Sequence, residues 1–298
     1  MNRPMMFAPA WYPGDPEECR RAIEEFRSRR KPSSSPKGPA VAAVGPHAGW
    51  LFSGTTLALA VGALKASCGE IDTVVCFGSV HFQSGKRAAA WPEGEWETPL
   101  GPFEVDAKLA AEALKRAGPA LEADPKAHLN EHSLEVQLPF IREAFPKARF
   151  LPIAVPPLAP DCGTAVAEAA RALGRRAVAF GSTDMTHYGL EHFGWAPAGE
   201  GSKAVKWVRD ENDRPAIEAM ERMDGDAVIR SAVERRNACG PGAVAATISF
   251  ARALGAVRGR LVDYSTSADA KPSAGAKPPG GSFVSYAGVV FEKEGGGE

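Results

Sequence analysis

Apolar residues along the chain gather into short unbroken runs that end on glycine or proline, with stretches of helical spacing between them. The runs Ala40 to Val44, Thr73 to Phe77, Phe150 to Val155 and Ala177 to Phe180 predict strands, as do Leu261 to Tyr264 and Phe283 to Phe291 further on. Leu57, Val61 and Leu64 fall on one helical face, as do Leu109, Ala113 and Ala117, and Val244, Ile248, Ala251 and Gly255. Asp15 followed by Pro16 reads as the start of a helix to about residue 29, and Asp106, Asp213 and Asp224 read as further N-caps. A helix from about Ser133 to Phe145 is expected to kink at Pro139, and another spans about 161 to 173. Between residue 189 and about 212 no period stands out. Strands alternating with helices predict a single α/β domain, with a central, mostly parallel or mixed sheet flanked by helices.

Between and around these elements lie segments of other composition. Residues 1–39 read as an N-terminal arm and helix joined to the first core strand by the turn-rich KPSSSPKGP. WPEGEWETPLGPF reads as an irregular or hairpin excursion in which Trp91 and Trp96 are anchors. A Pro/Gly/Ala/Lys-rich loop is expected at 268–281 and a disordered tail at 293–298.

Charge and composition act mainly by exclusion. With 35 basic and 36 acidic side chains the formal net charge is -1, which gives no global field for nucleic acid or an anionic membrane. Arg20, Arg21, Arg27, Arg29, Arg30 and Lys31 read as a solvated helix face. No apolar run is long enough to span a bilayer and no signal-peptide core opens the chain, so a cytoplasmic protein is expected. Five cysteines without a C-x-x-C pair argue against a disulfide framework or a zinc ribbon.

The strand-to-loop junctions hold the candidate chemistry. His47 follows the first core strand and His81 the second, and if those strands were neighbours, about 4.8 Å apart, both imidazoles would reach one ion. His132 precedes a helix, Asp184 and His187 share the polar turn STDMTHYG, and Cys239 stands where a helix begins. A helix N-terminus favours a thiolate, though a buried inert thiol is the competing reading. Cys68 and Cys76 read as packing, and His128 and His192, in charged surroundings, as surface residues.

Taken together, AWYPGDPEECRRAI, VGPHAGWLFSG, VVCFGSVHF, NEHSLEVQLPFI, FLPIAV, GSTDMTHYG, ACGPGAVAA and SFVSYAGVVF resemble the MEMO family, also described as protein B of the AmmeMemoRadiSam system. That family is similar in fold to the class III extradiol ring-cleavage dioxygenases. The resemblance implies that His47, His81 and Cys239 are metal ligands, that His187 is the acid/base with Asp184 orienting it or approaching the metal, and that His132 lines the same pocket. A thiolate would then stand where the dioxygenases use a carboxylate, which shifts preference from Fe(II) toward copper or zinc. The chain departs from the usual pattern in having Ser79-Val80 before His81, no aromatic after Cys239-Gly240, and a dense Trp/Pro loop beyond residue 90.

Three functions remain open at this point. An Fe(II)-dependent oxidoreductase of the extradiol type would act on a small diol-like substrate. A non-catalytic, metal-holding redox-signalling or peptide-binding protein would use copper or iron, and a zinc hydrolase would use Asp184 to activate water. By resemblance alone, a radical SAM enzyme and an AMMECR1-like protein are the expected partners.

Overall fold

In the computed structural model, residues 1–82, 85–159, 161–269 and 281–295 are described. Most of the loop expected at 268–281 and the end of the expected tail lie outside them. The strands are β1 (Asn2–Arg3), β2 (Ala40–Gly45), β3 (Thr73–Gly78), β4 (Ala88–Ala90), β5 (Glu95–Trp96), β6 (Phe103–Glu104), β7 (Leu121–Ala123), β8 (Arg149–Ala154), β9 (Ala177–Ser182), β10 (His187–Tyr188), β11 (Arg258–Thr266) and β12 (Phe283–Glu292). The helices are α1 (Pro16–Ser28), α2 (Trp50–Ser67), α3 (Ala107–Ala117), α4 (Leu138–Ala144), α5 (Gly163–Ala172), α6 (Leu190–Phe193), α7 (Gly201–Trp207), α8 (Arg214–Glu221), α9 (Gly225–Arg235) and α10 (Pro241–Ala253).

The main sheet runs β10-β12-β2-β9-β3-β8-β4-β7, with β11 added on β12. Its centre, β2-β9-β3-β8, is parallel, while β12 and β4 flank it antiparallel, so the sheet is mixed as expected. Parallel strands need helical crossovers, and these bury both faces. In β3 the alternation is direct: Val74 and Cys76 enter one core with α1, α2 and α4, whereas Val75 and Phe77 enter the other with α3, α5, α8, α9 and α10. Each such fully buried side chain contributes about 1.5–3 kcal/mol.

Three local expectations change. Residues 133–137 form turns, and α4 starts only at Leu138, so Pro139 sits in a first turn, where its missing N–H costs nothing, and kinks no helix. Asp213 makes no side-chain cap; its carboxylate is buried and accepts hydrogen bonds from the hydroxyls of Thr186, Tyr264 and Ser285. Asp15, Asp106 and Asp224 do cap α1, α3 and α9 through their side chains. The 189–212 segment holds α6 and α7 and then a π-helical turn at 208–212.

β2 and β3 are not neighbours either, because β9 lies between them. That insertion matters at the strand ends. It places the polar turn after β9 between the two loops that carry His47 and His81.

Candidate metal centre

Five segments meet at the carboxyl ends of β2, β9 and β3. The loop after β2 brings His47, the loop after β3 brings His81, and the turn after β9 brings Asp184. The turns ahead of α4 bring Glu131 and His132, and the segment ahead of α10 brings Cys239. Glycine permits the closest approaches. A Cβ on Gly240 would come within 2.2 Å of the Ser182 carbonyl oxygen, and one on Gly78 within 2.5 Å of Leu134 Cγ.

Although their strands are separated by β9, the rings of His47 and His81 lie 5.1 Å apart, because both loops lean over its end. His132 stacks on His81 at 4.4 Å and lies 5.2 Å from His47. One ring nitrogen from each of the three falls within 4.8 Å of the others, a spacing that could hold one ion. Among the described residues this set of three is the histidines; Cys239 approaches from another side, its Sγ 3.2 Å from His47 Nε2.

Hydrogen bonds fix which nitrogens are free. Ser133 Oγ donates to the Ser79 carbonyl (3.0 Å), Ser79 Oγ to the Ser182 carbonyl (2.9 Å), and Ser182 Oγ to the Ser133 carbonyl (2.8 Å), a closed ring that ties three loops together. A hydroxyl has one proton, so Ser182 Oγ must accept from His47 Nδ1 at 2.6 Å, which leaves Nε2 as the lone-pair nitrogen. His81 Nδ1 faces Glu131 Oε1 at 2.9 Å. His132 Nδ1 lies 3.6 Å from the same oxygen, too far for a hydrogen bond.

The electrostatics favour neutral imidazoles at His47 and His132. Burial, then repulsion from His81, holds His47 well below its usual value; burial, then His47 and His81, holds His132 at about 3. Burial alone would raise the Glu131 carboxyl, but the hydrogen bond from the His81 ring leads the contacts that bring it to about 2. Asp184 is raised by burial; its Oδ1 accepts from the backbone N–H of His47 (2.8 Å) and Ala48 (3.3 Å) and so holds the loop after β2. Of the two readings left open for Cys239, the thiolate is not favoured without an ion. Burial pushes this thiol up, the nearby Asp184 carboxylate adds to the effect, and the Asp184 N–H at 3.2 Å and the Thr183 hydroxyl only partly offset them.

The histidines open into a cavity of about 560 Å³ whose apolar walls include Trp11, Phe52, Phe193, Phe283 and Tyr286. Asp184 and His187 line it too. His187 Nδ1 donates to the Met185 carbonyl at 3.3 Å, and its ring meets Phe193 edge-on at 5.1 Å. Trp11 comes from the N-terminal arm and packs on His132 at 4.7 Å. Arg3 clamps that arm: buried and paired with Glu135 at 2.5 Å, it also donates to the carbonyls of His128 and Glu131 at 2.9 Å each. Glu135 in turn accepts from Met6 N–H, Phe7 N–H and Tyr12 OH, each at 2.8 Å.

Of the two histidines expected at the surface, His192 is exposed but lines the cavity. His128 is fully buried between Trp91 and Trp96, its Nε2 donating to the Ala89 carbonyl at 2.9 Å. Charged neighbours in sequence misled there, since the Trp/Pro excursion folds back over the ring. Sequence reasoning also missed Glu131 and Ser182. Each had a signal, Glu131 beside His132 and Ser182 opening the polar turn, but their contacts exist only across loops.

Residues 3–290 match the family described as Memo-like protein. The chain belongs to the Memo family. A MEMO1 family protein of Methanopyrus kandleri is 36% identical over 98% of this chain and 100% of its own length. Those of Pyrococcus horikoshii and Thermococcus kodakarensis are 36% and 35% identical, covering 85% and 96% of this chain and 87% and 98% of their own. The mixed α/β sheet flanked by helices is thus the Memo fold that the resemblance implied. Among the described residues no helix of this Memo protein is long and apolar enough to cross a membrane.

Proposed function

We propose that this Memo protein is a metal-dependent oxidoreductase of the extradiol type, using ferrous iron and acting on a small diol-like substrate. The observation that carries the reading is the pair His47 and His81, with rings 5.1 Å apart on the wall of an aromatic cavity and the Cys239 sulfur 3.2 Å from His47 Nε2. The donors fit a metal ion. His47 is held neutral by burial and carries its proton on Nδ1, so its Nε2 lone pair is the ligand nitrogen, and His81 turns Nδ1 to Glu131 and leaves Nε2 to an ion.

His47 and His81 would hold the ion with Cys239 as third ligand, and His132 would stand beside it on the cavity side. A ferrous ion would supply Lewis acidity and a redox-active centre, while the electrons that reduce dioxygen would come from the diol substrate. The chain's own residues supply the rest. Asp184 holds the His47 loop through two backbone N–H groups. His187, its Nδ1 proton committed to Met185, keeps Nε2 as a proton acceptor for a substrate hydroxyl. Trp11, Phe52 and Phe193 line the cavity and offer flat faces to a ring.

The test is anaerobic purification, elemental analysis, and oxygen uptake with a panel of catechols and other diols. Uptake with iron loaded and none without it is the expected result, and no uptake with any metal removes the reading. Cys239→Ser should strip the metal while His132→Ala retains it; the reverse would transfer the third-ligand role to His132. One observation favours a second reading, a non-catalytic copper-holding protein: the sulfur lies 3.2 Å from His47 Nε2, and soft donors favour copper. Copper in the purified protein with no oxygen uptake would decide for it.

A further inference from the structure

The three imidazoles differ in how they are held, and one buried carboxylate makes the difference. We infer that Glu131 is the positioning residue of this centre, fixing His81 as the Nδ1–H tautomer so that its Nε2 lone pair faces an ion. This rests on the metal-dependent reading given above.

Glu131 is 3% exposed and spends both oxygens on donors from the two segments it joins. Oε2 accepts the His81 backbone N–H at 2.7 Å, and Oε1 accepts the Ser133 backbone N–H and the His81 ring, both at 2.9 Å. An ionised carboxylate can only accept, so the proton in the last contact belongs to His81 Nδ1. Gripping both the backbone and the ring of one histidine fixes where its far nitrogen points. The carboxylate is itself held in place, because Arg3 donates to the Glu131 carbonyl and is locked by Glu135.

His132 is the internal control. It adjoins Glu131 in sequence, yet at 3.6 Å its Nδ1 lies beyond hydrogen-bond reach. His47 and His81 are therefore held through Nδ1, by Ser182 and Glu131 respectively, whereas Glu131 gives His132 no such hold.

Tying two loops together is the alternative role, and it would change stability without changing a tautomer. The ¹⁵N shifts of labelled histidines in the metal-free protein above pH 7 read the tautomer directly. His81 in the Nδ1–H form is the expected result, and the Nε2–H form overturns the inference. Glu131→Gln presents an NH₂ where donors now point, so it should release the lock and weaken Co(II) binding about 10–100-fold. Glu131→Asp, which keeps a carboxylate, should recover part of that loss. A Gln variant with the parental tautomer and a Co(II) Kd within about twofold overturns the inference, as does a Gln variant whose only change is a lower Tm. If the parent binds no divalent metal, the metal-dependent reading falls, while the tautomer measurement still decides the role of Glu131.

Discussion

The four parallel strands β2, β9, β3 and β8 end in two different ways. At their carboxyl ends the chain buries His47, Ser79, Ser182, Asp184 and Glu131. At their amino ends Asp72 meets Arg176 with N···O distances of 2.7 and 3.4 Å, and Arg149 meets Glu104 at 3.2 Å, all at the surface. Water competes for these pairs, so they contribute little and tolerate movement. Water is largely shut out at the first, where each polar group must find its partner in the protein, and the partners set position and proton location.

Removing donors breaks this comparison most sharply. Metal content by elemental analysis should fall from near one ion per chain to near zero in His47→Ala or His81→Ala, with the fold retained by circular dichroism. Asp72→Asn, at the opposite end, should leave it unchanged.

Next in size is the clamp on the arm. Glu135→Ala leaves Arg3 buried and unpaired and frees the arm, which should cost about 3–5 kcal/mol in urea unfolding. It should also loosen Trp11 from His132, readable as a change in indole fluorescence.

A third prediction uses pH. Burial depresses His128 to about 4, with Nε2 donating to Ala89, so the folded chain holds it neutral where the unfolded chain takes up a proton. Its contribution is fully present above the ordinary histidine value near 6.5 and is lost as pH falls through about 4. Wild-type stability should drop by about 3 kcal/mol from this group across that window, and His128→Gln should flatten that part of the curve. A curve that the substitution leaves unchanged would show that His128 does not carry the acid sensitivity.

The smallest effect belongs to the exposed end. Asp72→Asn should move the thermal midpoint by less than about 3 °C, with even less effect at high salt. A larger shift would mean that the two ends are held more alike than their burial suggests.

Much of this was legible in the sequence because it depends on local rules. Apolar runs ending at Gly45, Gly78 and Gly181 announced the central strands, and Asp15, Asp106 and Asp224 announced helix starts through their own side chains. The loop positions of His47, His81, His132, Asp184 and His187 followed from the same grammar, and all five line one cavity. Other features were hidden. Asp213 has the sequence context of a cap but turns inward, because three hydroxyls from distant segments reach its carboxylate. His128 looks solvated among charges and is buried by tryptophans more than thirty residues away.

By itself the sequence determined the central strands and most of the helices that cross between them, the class of sheet and the residue types delivered to its rim, since hydrophobic period, caps and breakers act over a few residues. Only the tertiary structure decided that β9 lies between the two histidine-bearing strands, that three serines close a ring across their loops, and that Glu131 grips His81 but not its own neighbour His132. The physical reason is range: a hydrogen bond between loops needs angles and distances good to a few tenths of an ångström, and packing of the whole sheet sets these.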